Sequence, residues 1–112
     1  MDLSRDLVKG NLSIVILKLL AVNGEMYGYQ LSQTMKQMSH NKIDIAFGSL
    51  YPSLHKLKAN DLIKMREEYI GARKRIYYSI TETGLKKTQS WSKQYLDFFK
   101  IMEDILLLKP QK

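Results

Sequence analysis

The chain has 112 residues, a formal net charge of +7 and no cysteine, and 45 % of its residues are hydrophobic. This length and composition predict one folded soluble unit with a modest core. The lack of cysteine excludes a disulfide scaffold and cysteine-based metal or redox chemistry. The excess of positive charge favours an anionic partner such as nucleic acid.

Features of an enzyme, a metal site or a membrane protein are not found in the sequence. The two histidines, His40 and His55, have no partner at metal-ligand spacing and no nucleophile motif. We therefore expect no enzymatic activity, no cofactor and no metal. The N-terminus lacks the apolar core of a signal peptide, and the apolar run around Ile14–Val22 is short and interrupted by Lys18. We expect a cytoplasmic protein without a membrane partner.

The first half of the chain predicts two helices and a short strand. Residues 4–22 have apolar side chains at helical spacing, with Ser4 as a cap and Asn23–Gly24 as the end. Apolar residues occupy more than one face of this helix, which indicates a subunit interface that includes Leu7. A second helix is predicted over 28–38, and the alternation at 43–45 predicts a strand.

The stretch GSLYPSLHKLKANDLI (48–63) predicts a third helix over about 47–60, with Pro52 inside it. Two starting points remain open. If Ser49 caps the helix, Pro52 lies in the first turn, where its missing N–H had no partner. If the helix starts near Ala46, Pro52 removes one internal hydrogen bond and bends the helix.

The outer face of this third helix is polar, aromatic and basic, and it has no carboxylate before Asp61. A helix that enters the DNA major groove needs such a face near its N-terminus. A merely solvated helix face is the alternative, although that would normally mix glutamate among the lysines. The side chains assigned to this face are those of Ser49, Tyr51, Pro52, His55 and Lys56.

Two strand-like segments, 62–70 and 74–81, flank a turn at 70–73 and predict a hairpin. Three adjacent cations lie at its tip, and they would repel one another unless an anion is near. We interpret them as phosphate contacts, whose binding releases counterions and depends on salt. A solvated turn is the alternative. The three residues are Arg73, Lys74 and Arg75.

Thr81 is predicted to cap a last helix that runs from Glu82 to about Leu108. Its apolar side chains alternate in steps of three and four, which is the pattern of a two-helix seam. An apolar stripe of this length indicates an interface, so we expect a homodimer. The residues of the seam are Leu85, Thr88, Ser92, Tyr95, Phe99, Met102 and Leu106.

The order of these elements predicts a fold that is mainly α with a small β-hairpin, in the α+β class. We expect a winged helix-turn-helix DNA-binding domain over residues 1–81. A C-terminal dimerisation helix is expected over residues 82–112.

Three motifs resemble those of the PadR family of transcriptional regulators. They are YGYQL (27–31), GSLYPSLHKLKANDLI (48–63) and GARKRIYYSITETG (71–84), and their order and spacing match over residues 10–84. Departures occur only at the end of the third helix, at Lys58 and Asn60–Asp61. The resemblance implies a dimeric repressor that binds double-stranded DNA at an inverted-repeat promoter site. It also implies that Tyr29, Ser49, Tyr51, Pro52 and His55 approach that DNA.

The resemblance extends to a possible effector site. Short PadR regulators with one C-terminal helix include multidrug-sensing repressors, in which a Trp in a Ser-Trp-Ser context stacks on planar aromatic ligands. Ser90–Trp91–Ser92 is similar. A dry dimer core without a ligand is the alternative, as is a winged-helix protein-interaction module that does not bind specific DNA. The residues implied for ligand binding are Asn11, Ile14, Trp91, Tyr95 and Phe98.

Overall fold

The structure, a computed structural model, describes the backbone of residues 5–111 and the side chains of residues 7–111. The described part forms five helices and three strands, and it confirms the predicted α+β class with a long last helix. The predicted cap Ser4 lies outside the described residues. In chain order the elements are α1 Arg5–Gly10, α2 Leu12–Asn23, β1 Met26–Tyr27, α3 Gly28–Met38, α4 Phe47–Ala59, β2 Ile63–Ile70, β3 Arg73–Ile80 and α5 Glu82–Leu106.

The first predicted helix is two helices, because Asn11 interrupts it. The Asn11 backbone has φ −112° and ψ 6°, and its side-chain Nδ2 donates to the carbonyl oxygen of Leu7 at 2.7 Å. Asparagine side chains compete with the backbone for such hydrogen bonds. The prediction of one continuous helix over 4–22 was wrong for this reason.

The apolar faces of α2 are buried within the chain itself. Leu12, Ile16, Leu17 and Leu20 are buried, and α4, β3 and α5 all pack against this helix. These residues of α2 are covered without a second subunit, whereas Leu7 on α1 is 57 % exposed, so the subunit interface that includes Leu7 stays a prediction. Since three elements surround it, α2 is the centre of the core.

The predicted strand at 43–45 is an irregular segment between α3 and α4. Ile45 is buried and Ile43 half-buried, while the backbone N–H of Ile43 donates to Ser39 Oγ at 2.8 Å. The alternation of apolar and polar residues at 43–45 therefore reflects the burial of Ile43 and Ile45, although the segment pairs with no strand. The strand that the sequence did not predict is β1, which pairs Met26 with Tyr78 and Tyr27 with Tyr77.

Helix α4 begins at Phe47 with Ala46 as its N-cap, so the earlier of the two starting points is observed and the Ser49 cap is wrong. The carbonyl oxygen of Ala46 accepts from the N–H groups of both Ser49 and Leu50. Pro52 is the sixth residue of the helix and leaves the Gly48 carbonyl without its usual intrahelical donor. Leu50, Leu54 and Leu57 are buried, and Asn60 is the C-cap, as predicted.

Strands β2 and β3 form the predicted hairpin, from Ile63 opposite Ile80 to Ile70 opposite Arg73. Its two turn residues are Gly71 and Ala72, and Gly71 has φ 66°, which a two-residue turn of the II′ type requires at its first position. The strand order is β1-β3-β2. Because β1 pairs only with Tyr77 and Tyr78, the segment 73–76 of β3 has a strand neighbour on one side only.

Helix α5 starts against the base of this hairpin. Thr81 Oγ1 accepts from the Gly84 N–H at 3.0 Å, which confirms the predicted cap, and donates to the carbonyl oxygen of Asp61 at 2.7 Å. Gly84 is buried against Leu62 and Ile80. The far end of α5 extends away from the core and gives the described chain a length of 62 Å. No helix in the described part is long and apolar enough to cross a membrane.

We expect Gly84→Ala to destabilise the protein. An added Cβ would lie 2.7 Å from Ile80 Cγ1 and well inside contact distance of the Leu62 carbonyl oxygen. Overpacking of this kind costs about 1–3 kcal/mol or more, and the loss is measured by urea unfolding. Gly10→Ala is the control, because a Cβ at Gly10 meets no atom within 4 Å. Equal unfolding free energies for both variants would contradict this packing.

Candidate nucleic-acid interface

A groove of about 600 Å³ lies between the helix-turn-helix and the hairpin, and we call it the wing groove. Its walls are the N-termini of α3 and α4 and the segment 73–76 of β3. Five of the residues predicted to bind DNA border this groove together: Tyr29, Tyr51, Arg73, Lys74 and Arg75.

Helices α3 and α4 meet at Gly28, which is buried. A Cβ at this position would lie 3.6 Å from Tyr51 Oη and 3.9 Å from Leu50 Cδ2, so the two helices approach closely here. The first turn of α3 is held by Gln30, whose side-chain oxygen accepts from the Tyr27 N–H at 3.0 Å. This arrangement places Tyr29, which is 55 % exposed, beside Tyr51 at the groove.

The predicted outer face of α4 is exposed at Tyr51, Pro52, His55 and Lys56. Of these four, only Tyr51 borders the wing groove. Ser49 is half-buried and lies on the other side of α4, where Lys9, Lys42 and Asp44 border a second groove of about 550 Å³. The N-terminus of α4 therefore has a groove on each side.

Sequence reasoning missed Phe47, the first residue of α4. Its ring is 45 % exposed, borders the wing groove and stacks on Tyr51 with ring centroids 5.6 Å apart and an interplanar angle of 25°. The i, i+4 spacing of the two aromatic residues was the available signal.

The three cations of the hairpin tip do not form one unneutralised cluster. Lys74 Nζ lies 2.9 Å from Glu67 Oε1, and the hydrogen bond to this carboxylate raises the pKa of Lys74. Because side chains alternate along a strand, Arg73 and Arg75 leave β3 on the opposite face from Lys74. Glu67 is therefore the nearby anion for Lys74, and the contact of the three cations with phosphates stays a prediction.

The guanidinium of Arg75 is engaged on the outer face of the sheet. Its carbon Cζ lies 4.1 Å from the centroid of the Tyr27 ring, and Nη1 is 3.4 Å from Tyr77 Oη. The hydrogen bond to Tyr77 is the main cause of the raised pKa of Arg75. Tyr27 and Tyr77 contact edge to face at 5.6 Å. Arg75 therefore links β3 to the residue that precedes α3.

Arg66 on β2 also contacts Tyr77, and it binds a carboxylate that precedes β1. Its Cζ lies 4.4 Å from the Tyr77 ring centroid, and its Nη2 and Nε donate to the Glu25 carboxylate at 2.6 and 2.8 Å. Nη1 also donates to Glu68 at 3.1 Å. The hydrogen bond from Arg66 lowers the pKa of Glu25, so this carboxylate stays charged. We call the six residues Glu25, Tyr27, Arg66, Glu68, Arg75 and Tyr77 the sheet-face network.

Comparison with known proteins assigns the family. The sequence model of the transcriptional regulator PadR-like family matches residues 16–90, which is more than half of the chain. The chain belongs to this family. Membership among transcriptional regulators agrees with the expectation of a protein without enzymatic activity.

Solved structures of other PadR-like proteins and transcriptional regulators have the same fold. A transcriptional regulator from Clostridium thermocellum is 26 % identical, with a TM-score of 0.82 over 93 % of this chain and 99 % of that one. A PadR-like regulator from Bacillus cereus is also 26 % identical, with a TM-score of 0.74 and the same coverage. Bacillus subtilis PadR in complex with operator DNA is 27 % identical and has a TM-score of 0.65 over 71 % of this chain and 45 % of that one.

A second candidate site of this PadR-like chain is an apolar groove of about 620 Å³ between α2, α3 and α5, which we call the seam groove. Asn11, Ile14 and Tyr95 of the predicted ligand set border it, whereas Trp91 and Phe98 do not. Trp91 packs against the core, and Lys87 Nζ lies 5.6 Å from the centroid of its ring. Residues that were not predicted also border the groove: Val15, Leu19, Met35, Met38, Ile43 and Leu96.

The predicted dimer residues have different environments in the single chain. Thr88 is only 3 % exposed, and its Oγ1 donates to the Gly84 carbonyl oxygen, so it has almost no surface left for a partner. Ser92, Tyr95 and Met102 are half-buried. The other predicted dimer residues expose large apolar areas, and they are Leu7, Leu85, Phe99 and Leu106.

Within residues 7–111 no group of three or more His, Asp or Glu side chains is arranged to hold a metal ion. The wing groove and the seam groove can therefore bind a partner through charge, hydrogen bonding and apolar contact.

Proposed function

We propose that this PadR-like regulator binds promoter DNA as a dimer, on an inverted-repeat site, and represses transcription. The observation that supports this most is the wing groove, where an exposed helix face without carboxylates lies beside the cations of the hairpin. The Bacillus subtilis relative that is in complex with operator DNA supports the same role here. Binding to promoter DNA would also place the protein in the cytoplasm.

The N-terminal half of α4 is shaped to approach base edges. Gly48 is exposed, with no atom within 4 Å of an added Cβ, and Pro52 is exposed one turn later. Because Gly48 and Pro52 are small, the exposed side of α4 can lie deep in the major groove. His55 and Lys56 flank this side of the helix. Tyr29 and Ser49 bring hydroxyl groups to the phosphates on the two sides of α4.

The hairpin supplies the phosphate contacts from the other wall of the groove. Arg73 is exposed, and the exposed Lys74–Glu67 pair exchanges readily for a phosphate because surface ion pairs contribute little. Arg75 is half-buried and held by Tyr27 and Tyr77. We infer that Arg75 mainly fixes the position of the hairpin, so that Arg73 and Lys74 can contact the backbone of the DNA.

The partner in the dimer is a second copy of this chain. The end of α5 exposes a run of apolar side chains that no part of the described chain covers, including Phe98, Ile101, Ile105 and Leu106. At ~25 cal/mol per Å², burial of about 1,000 Å² would contribute on the order of 25 kcal/mol before the costs of association. Such a dimer would place two α4 helices about 34 Å apart, in successive major grooves.

A planar aromatic ligand in the seam groove is a second element of the proposal. Asn11, Ile14 and Tyr95 border this groove together, and its walls are almost entirely apolar. Such a ligand releases the repressor only to the extent that it binds more tightly to the arrangement that does not bind DNA.

Variants of the wing groove test DNA binding on the duplex that the purified protein selects in vitro. Arg73→Ala should weaken binding to all duplexes alike and reduce the slope of log K against log salt by about 0.9, because one phosphate contact is lost. Tyr51→Ala should abolish binding to the selected site. Lys93→Ala, on α5, is the control and should change neither quantity. A wild-type protein that binds only weakly and without sequence preference would favour the protein-interaction module.

Ile105→Glu should dissociate the dimer. Two symmetric copies would each place a carboxylate in an apolar interface, so we expect the dissociation constant of the dimer to rise by about 100-fold or more. Sedimentation equilibrium measures this, and Lys100→Glu on the same helix is the control. A wild-type chain that sediments as a monomer at micromolar concentration would rule out the dimer.

Trp91 is the only tryptophan and lies one helical turn before Tyr95, so its fluorescence should report ligands in the seam groove. We expect planar aromatic compounds to quench this emission and Tyr95→Ala to weaken the quenching. Tyr69→Ala, on the hairpin, should leave it unchanged. If a diverse panel of such compounds has no effect, the seam groove is a closed interface without an effector.

A further inference from the structure

The first residue of α4 is an exposed phenylalanine at the place where the helix meets the wing groove. Phe47 is 45 % exposed, whereas the leucines that follow it on the buried face of α4 are almost fully covered. A single exposed apolar side chain needs no explanation, but Phe47 is contiguous with Tyr51, which is 44 % exposed, and both rings border the wing groove.

The orientation of the Phe47 ring is set by its neighbour one turn later. The ring stacks on Tyr51 at a centroid distance of 5.6 Å, and Tyr51 in turn touches the buried junction at Gly28. An aromatic pair of this kind is favourable beyond its buried area, so the Phe47 ring is held in place before any partner binds. The exposed side of the Phe47 ring borders the wing groove, which Tyr29 and Lys74 also line.

The chemistry of the ring restricts what it can recognise on DNA. A phenyl group has no hydrogen-bond donor or acceptor, so it cannot read the polar edges of the bases. In the major groove the C5-methyl group of thymine is the distinct apolar feature, and apolar contact with Phe is one of the ways in which it is read. A ring at the N-terminus of a helix that enters this groove is placed where base edges are contacted.

We propose that Phe47 determines specificity by packing its ring on the C5-methyl group of one thymine in each half-site of the operator. This inference rests on the proposed function, because it requires α4 to enter the major groove. Tyr51 acts as the support that fixes the ring, and Arg73 and Lys74 hold the adjacent phosphates.

The test removes the methyl group from the DNA instead of the contact from the protein. Each thymine of one half-site of the selected duplex is replaced in turn by deoxyuridine, and the same change is made at the symmetric position of the other half-site. Wild-type affinity should fall by about three- to fivefold per half-site at one position, the effect expected for one methyl-sized group. At that position Phe47→Ala should bind the thymine and deoxyuridine duplexes equally well.

Two further variants separate this contact from a general loss of structure. Phe47→Leu keeps an apolar side chain and should retain part of the preference for thymine. Tyr69→Ala removes another exposed aromatic side chain that does not border the wing groove, and it should retain the whole preference. If Phe47→Ala binds no duplex, the comparison between Phe47→Leu and wild type decides, with a smaller preference expected for Leu.

The outcomes distinguish this inference from the function on which it rests. Specific binding that is indifferent to deoxyuridine at every position overturns the role of Phe47 but leaves the DNA-binding function intact. The same holds if Phe47→Ala and wild type lose affinity equally at every thymine. A protein that selects no duplex at all overturns the proposed function and this inference together.

Discussion

The pairing of β1 with β3, together with the stacking of Arg75 on Tyr27, is the constraint on which the proposed DNA-binding surface depends. The wing groove has one wall on the helices and the other on the hairpin, and these two walls are far apart in the chain. Arg75 lies on β3, whereas Tyr27 directly precedes α3, so their contact at 4.1 Å joins the two walls. Arg66 and Glu25 repeat the link from β2. With two arginines and two glutamates the sheet-face network is neutral, and it holds the hairpin without presenting net charge.

The cations of the hairpin therefore fall into two groups, those inside the neutral network and those outside it. Arg66 and Arg75 are bound to partners within the network, so they are expected to change little when DNA binds. Arg73 and Lys74 lie beyond it at the hairpin tip, and the only ion pair between them and the rest of the described chain is the exposed contact of Lys74 with Glu67. The count of 18 lysines and arginines therefore overstates the number of cations available to phosphates. Their placement beside a helix face without carboxylates matters more than their number.

Local patterns in the sequence predicted most of the fold. The break at Asn11 and the start of α4 are local failures, and the others concern long-range contacts. The spacing of Leu50, Leu54 and Leu57 is visible in the sequence, as is the cap at Thr81. Strand β1 has two residues, too few for any alternation, and its partner Tyr78 comes from the other half of the chain. The start of α4 has no capping side chain to mark it, so Phe47 was left outside the predicted site. The motifs therefore identified the candidate interface, but the sheet-face network and Phe47 became visible only in three dimensions.

Helix α3 connects the two candidate sites and limits how they can influence each other. Its N-terminus gives Gly28 and Tyr29 to the wing groove, and its C-terminus gives Met35 and Met38 to the seam groove, about 15 Å away along the helix axis. If the proposed ligand shifts α3 as a rigid body, the contact between Gly28 and Tyr51 shifts with Met35. The sheet-face network opposes this motion, because Tyr27 ties the start of α3 to Arg75. If the proposed ligand releases DNA in this way, its preference for the displaced arrangement must exceed the free energy of these contacts.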